Sequence, residues 1–84
     1  MDRIGDLIAF NTVVETGSFT AAADRLDANK SAVSRRVSAL EQRLGAQLLR
    51  RTTRSLNLTE TGRSFYERSS RIVADLEEAE SAVA

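Results

Sequence analysis

Residues 18–45 read SFTAAADRLDANKSAVSRRVSALEQRLG. This stretch divides into a short helix, a three-residue break and a longer helix. Ser18 offers a side-chain oxygen to the free backbone N–H groups that open a helix from Phe19 to about Leu26. Inside that helix Phe19, Ala22, Ala23 and Leu26 recur at three- and four-residue steps. The run Ala21-Ala22-Ala23 lets another helix approach closely. Asp27-Ala28-Asn29 interrupts the pattern, and Asn29 is a good N-cap for the longer helix. From about residue 30 to 44, Val33, Val37, Leu40 and Leu44 form one narrow apolar stripe, read as core. Ser31, Arg35, Ser38 and Gln42 fall nearly opposite that stripe, with Ser34 on the flank and Lys30 in the first turn. Gly45 stops the helix. Near the N-terminal end its exposed face is therefore small hydroxyls and one arginine, so the backbone can come close to a surface while Arg35 reaches out.

The flanks extend this reading. Upstream, Ile4, Leu7, Ile8, Val13 and Val14, with Phe10 between, predict a helix over about 4–16 with a broad apolar face, closed by Gly17 as a left-handed cap. Downstream, Leu48-Leu49-Arg50-Arg51-Thr52 and Ser55-Leu56-Asn57-Leu58-Thr59 are two short runs that read as a small hairpin around Thr53-Arg54. Thr59 is an N-cap candidate for a long last helix, Glu60 suits the positive helix end, and Gly62 reads as a weak spot. Phe65, Ser69, Ile72, Leu76, Ala79 and Val83 then keep the alternating four-three rhythm of a coiled-coil seam. A helix over 60–84 would span about 37 Å. Its far end has nothing in the chain to pack against, so the seam predicts a homodimer.

Helix, short helix, tight turn, helix, basic hairpin is the layout of a mostly α winged helix-turn-helix, with the helix at 30–44 as recognition helix and the hairpin at about 48–58 as wing. Residues 1–58 make the head and residues 59–84 a linker and dimerisation helix.

Composition narrows the function. The 84 residues suffice for one small domain, and 42% apolar with 29% charged residues is ordinary for a folded chain. Cys and His are absent, which removes disulfides, thiolate metal sites, cysteine nucleophiles and histidine acid–base chemistry; no cofactor, metal or catalytic residue is expected. No apolar run approaches the roughly 18–20 residues of a membrane span, and the start is not a signal peptide. The expectation is a cytoplasmic, non-enzymatic module. Net charge is zero, but its distribution is not even: residues 30–54 hold seven cations against Glu41 alone, and both flanks are net acidic. Six of the seven are arginine, whose fork matches phosphate and guanine edges. A basic middle between acidic ends predicts one face for a polyanion.

At this point the residues carry a specific resemblance. Ser18-Phe19-Thr20-Ala21-Ala22-Ala23, Ser31-Ala32-Val33-Ser34-Arg35-Arg36-Val37, Leu40-Glu41, Leu44-Gly45, Leu48-Leu49-Arg50-Arg51-Thr52-Thr53-Arg54 and Leu58-Thr59-Glu60-Thr61-Gly62 resemble, in order and spacing, the N-terminal region of LysR-type transcriptional regulators. The resemblance covers essentially the whole chain. It implies a bacterial DNA-binding domain working at the nucleoid, bound as a dimer to a double-stranded operator with dyad symmetry. It also implies that the effector-binding domain of the parent protein is absent from this chain. Residue by residue, it implies that Lys30, Ser31, Ser34 and Arg35 read bases or phosphates and that Ser18 and Thr20 touch phosphate. Arg50, Arg51, Thr52, Thr53 and Arg54 match the wing, with Arg54 the minor-groove residue. The resemblance also implies a linker helix that dimerises, and the seam read above puts Phe65, Ile72, Leu76, Ala79 and Val83 on it. Position 30 is commonly Gln in the family, whereas Lys30 favours guanine acceptors or a phosphate. Asp27 is also unusual, since it brings an acid near the recognition helix.

Other readings stand beside these. Ser18 and Asn29 could be caps only. Arg36 and Arg43 flank the apolar stripe and could pair with acids, and Arg50 could be structural. A winged-helix scaffold could serve a protein partner instead, although such surfaces more often carry aromatics or Leu than Ser. An enzyme is disfavoured by the missing His and Cys and the single Lys.

Overall fold

The computed structural model describes residues 2–52 and 55–83. The element order is α1 (Arg3–Thr16), α2 (Phe19–Arg25), α3 (Lys30–Leu44), β1 (Leu49–Arg51), β2 (Leu56–Leu58) and α4 (Glu60–Ser81). Each helix begins where a side chain satisfies an orphan N–H. Asp2 accepts from the Gly5 amide at 2.8 Å, Ser18 from Ala21 at 3.1 Å, Asn29 from Ala32 at 2.8 Å and Thr59 from Gly62 at 2.9 Å. Gly17 and Gly45 close α1 and α3 in the left-handed region, at φ 74° and 66°. The end of α2 has no glycine. Asp27 takes φ 53° there, and the Ala28 amide bonds back to the Ala23 carbonyl at 2.9 Å. Asp tolerates this conformation better than most residues, which gives the unexpected acid a backbone role.

α1 is the central element, packed against α2, α3 and α4. The core holds Phe10, Val13, Ala22, Val33, Val37, Leu40 and Leu48, all essentially inaccessible. The sequence reading of α1 as a helix with one apolar face needs correction. Ile4 is 47% exposed, while Asp6, Asn11 and Thr12 are buried, because α1 is enclosed on several sides and polar positions turn inward too. Each has a partner: Arg43 for Asp6, Ser69 for Asn11, and the Ile8 carbonyl for Thr12. Leu44 is a second correction: read as core, it is 44% exposed, since it is the last residue of α3 before Gly45 turns the chain away.

β1 and β2 pair antiparallel, Leu49 with Leu58, Arg50 with Asn57 and Arg51 with Leu56. The predicted hairpin is present, and its closing contacts are the Thr52 amide to the Ser55 carbonyl at 2.9 Å and the Ser55 amide to Thr52 Oγ1 at 2.9 Å. α4 docks on α1 through its first half. The Phe65 and Tyr66 rings lie 5.7 and 6.3 Å from Phe10, and Ser69 is fully buried. Gly62 is not a weak spot: a Cβ there would run into the Leu48 carbonyl, so glycine is what lets α4 approach the backbone just before β1. Tyr66 donates to Glu15 at 3.1 Å; burial raises its phenol above the ordinary 10.0, and the Glu15 charge adds to the rise.

Candidate nucleic-acid interface

The N-terminal ends of α2 and α3 and the hairpin surround a cleft of about 440 Å³. Of the residues singled out from the sequence, Ser18, Thr20, Lys30, Ser34, Arg51 and Thr52 line it, together with Phe19 and Ser55. Ser31 and Arg35 are exposed on α3 outside the cleft. Thr53 and Arg54 lie outside the described residues.

The sequence places these groups through the caps. Ser18 and Asn29 fix where α2 and α3 start, so Thr20 stands in the first turn of α2, and Lys30 and Ser31 in the first turn of α3. Both are caps in fact: each spends its acceptor oxygen on the backbone. Arg35 lies one turn further along α3 and is exposed. Buried Val33, Val37 and Leu40 hold the opposite side of α3 against the core, so the helix presents its hydroxyl-and-arginine face outward.

Among the described residues two arginines form ion pairs within the chain. Arg43 pairs with buried Asp6 at 3.2 Å, and Arg25 with Glu15 at 3.4 Å. Arg43 therefore pairs with an acid, one of the two roles its position beside the stripe allowed. Lys30, Arg35, Arg36 and Arg50 make no ion pair among the described residues. Arg51 behaves differently. Its guanidinium sits 4.4 Å over the Phe19 ring, and it approaches Ser34 Oγ at 3.5 Å, so it ties the hairpin to α2 and α3 as well as lining the cleft. The spacing of Phe19 marks it only as a core residue of α2; nothing in that spacing reveals its place beneath Arg51.

Glu41 is the second residue that sequence reasoning misses. Its carboxylate accepts from the Leu48 amide at 2.7 Å and the Leu49 amide at 3.1 Å, clamping the start of β1 to α3. A signal exists, since Glu41 is the sole anion among residues 30–54. Thr59 closes the other side of the hairpin by donating to the Gln47 carbonyl at 2.7 Å. Chemically the arrangement is a shallow cationic and hydroxyl-rich surface on a fixed frame, suited to an extended polyanion. Among the described residues no acidic cluster is placed to hold a metal ion, and no helix is long and apolar enough to cross a membrane.

In the described seam of α4, Phe65 is half-buried against its own head and Ser69 fully buried. This end of the expected dimer seam is thus used within the chain. Ile72 is 51% and Val83 86% exposed, Ala79 is exposed and Leu76 half-buried.

Comparison with known proteins agrees with this geometry. The profile of the family described as bacterial regulatory helix-turn-helix protein, lysR family, matches residues 4–63. An HTH-type transcriptional regulator of Xanthomonas campestris pv. campestris is 55% identical over 80 residues, covering 95% of this chain and 23% of the relative. The HTH-type transcriptional regulator CrgA of Neisseria meningitidis serogroup B is 49% identical over 75 residues, covering 89% and 25%. The chain thus spans about a quarter of the length of these curated relatives. Among solved structures, the BenM DNA-binding domain in complex with catB site 1 DNA is similar at TM-score 0.89 and 35% identity, covering 99% of this chain and 92% of that one. The CbnR DNA-binding domain–DNA complex is similar at TM-score 0.85 and 34% identity, covering 99% and 94%.

Proposed function

Because the chain belongs to the lysR family of bacterial regulatory helix-turn-helix proteins, we propose that it binds double-stranded DNA sequence-specifically as the DNA-binding part of a transcriptional regulator in the bacterial cytoplasm, at the nucleoid. α3 enters the major groove by its N-terminal end, and the hairpin lies along the adjacent backbone or minor groove. The observation that carries the reading is the exposed set Lys30, Arg35 and Arg36, without an ion pair among the described residues, which shares the N-terminal part of α3 with the exposed hydroxyls Ser31 and Ser38, beside a cleft edged by Ser18, Thr20 and Arg51. Hydroxyls and N–H groups around the cleft seat a phosphate and fix register, leaving base edges to the exposed side of α3. Arg35 spans guanine O6 and N7; Lys30 takes guanine acceptors or a neighbouring phosphate. Arg54 is assigned the minor groove, Thr52 and Thr53 the backbone. The relatives are named as regulators and the similar structures as DNA complexes, which supports the same assignment.

Two copies joined through Ile72, Leu76, Ala79 and Val83 bind an operator with dyad symmetry. The test is selection of bound sequences from random DNA, then titration of Arg35→Ala on the selected site and its single-base variants at two salt concentrations. Loss of a base contact costs about 1–3 kcal/mol and relaxes preference at one position in each half-site. A uniform loss over all variants, with the salt slope falling by about one, makes Arg35 a phosphate contact. Failure of any sequence to be enriched refutes the reading.

A further inference from the structure

The joint between α4 and the head is made of unlike contacts. Phe65 and Tyr66 lean on Phe10 at interplanar angles of 57° and 70°. The Tyr66–Glu15 hydrogen bond is exposed and competes with water. The contact between Ser69 and Asn11 differs from both. Ser69 is 0% and Asn11 2% exposed, and Ser69 Oγ donates to Asn11 Oδ1 at 2.7 Å. The same hydroxyl also reaches the Tyr66 carbonyl of its own helix, at 3.3 Å, and the other end of the amide, Asn11 Nδ2, is buried with no partner among the described residues. A small apolar pair would fill the same space with no orphan donor, so this pair is a poor choice for stability alone. Its value lies in direction: turning α4 by one residue carries the hydroxyl away and strands the whole amide in the interior.

We propose that Asn11 and Ser69 form a buried latch that fixes the rotation and tilt at which α4 leaves the head, and thereby the separation of the two recognition helices in a dimer. The first half concerns one chain; the second rests on the dimeric DNA-binding reading. Gly62, one heptad before Ser69, is the second fixed point, pressed against the Leu48 backbone. From Ser69 to the end of α4 at Ser81 is a lever of roughly 18 Å. A swing of about 10° at the latch moves that end by about 3 Å, close to the rise of one base pair. Loosening the latch therefore blurs half-site spacing by a whole step.

The chain has no cysteine, so cysteines introduced at exposed Asp24 and Glu78 give the only two spin-label sites. Labelled chain diluted in unlabelled chain reports the intramolecular distance by pulsed electron resonance. The wild type should give one narrow distribution. The double variant Asn11→Leu/Ser69→Ala should melt no lower than wild type yet give a broadened or shifted distribution. Ser69→Ala alone, which removes a single oxygen, should broaden it as well and serves if the double variant does not fold. An unchanged distribution in a folded variant overturns the latch. On DNA carrying paired half-sites at one-base-pair increments, the wild type should prefer one spacing severalfold. The double variant should lose that preference while keeping its affinity for a single half-site. A retained preference overturns the link to spacing. A wild type indifferent to spacing, with the distance result as expected, refutes the dimeric reading and leaves the latch within the chain.

Discussion

Replacing Glu41 by Ala removes the clamp between α3 and the base of the wing. The carboxylate accepts two backbone N–H bonds, at 2.7 Å from Leu48 and 3.1 Å from Leu49. Both donors belong to buried residues, 0% and 3% exposed. Hydrogen bonds to a charged group contribute about 1.5–3 kcal/mol each, and a donor left buried and unpaired costs a comparable amount. Glu41 itself is only half-buried, so water reaches part of the gap and the two losses do not add in full. A net destabilisation of about 2–4 kcal/mol results. Ala is the better helix former by a few tenths of a kcal/mol, which offsets little of this. In a domain of this size each kcal/mol lowers Tm by about 4–8 °C, so the variant should melt at least about 8 °C below wild type. Glu41→Gln keeps an acceptor oxygen and loses only the charge, so it should fall between the two. Thermal melting by circular dichroism measures the loss, and hydrogen exchange at the Leu48 and Leu49 amides locates it. A Glu41→Ala protein melting within about 2 °C of wild type, with those amides still protected, would refute the clamp.

Gly62→Ala should destabilise by about 1–3 kcal/mol despite the better helix propensity of Ala, because its Cβ meets the Leu48 carbonyl; a raised Tm would show that α4 can retreat without cost. Leu76→Asp should weaken self-association in sedimentation at high concentration while leaving Tm nearly unchanged, since Leu76 lies on α4 beyond the buried joint. If wild type and variant run as the same monomer and bind a palindromic site with equal cooperativity, the α4 seam makes no dimer. Arg54→Ala should weaken binding and reduce preference for A·T-rich flanks, where a narrow minor groove concentrates negative potential; affinities measured on flank variants decide, and an unaltered preference removes Arg54 from the groove.

Local signals determined a great deal of this protein. Ser18, Asn29 and Thr59 announce three helix starts because capping needs only a side-chain oxygen beside the first turn, and Gly17 and Gly45 announce two ends because few other residues accept a left-handed backbone. The Val33, Val37 and Leu40 stripe set which side of α3 faces inward, and hence that Ser31 and Arg35 face out. What periodicity could not supply was how many neighbours each helix has. α1 is enclosed by three helices, so Asp6, Asn11 and Thr12 are buried where a single-faced pattern leaves them outside, and Ile4 is exposed where the same pattern buries it. The seam of α4 reads as one continuous rhythm in sequence, yet Phe65 and Ser69 are taken by the chain's own head, and the more exposed positions lie further along. Glu41 beneath the wing and Arg51 over Phe19 join residues many positions apart, as does Gly62 against Leu48. Spacing along a helix encodes a direction around its axis and nothing about what stands there; that was decided only when α1, α3, α4 and the hairpin closed on one another.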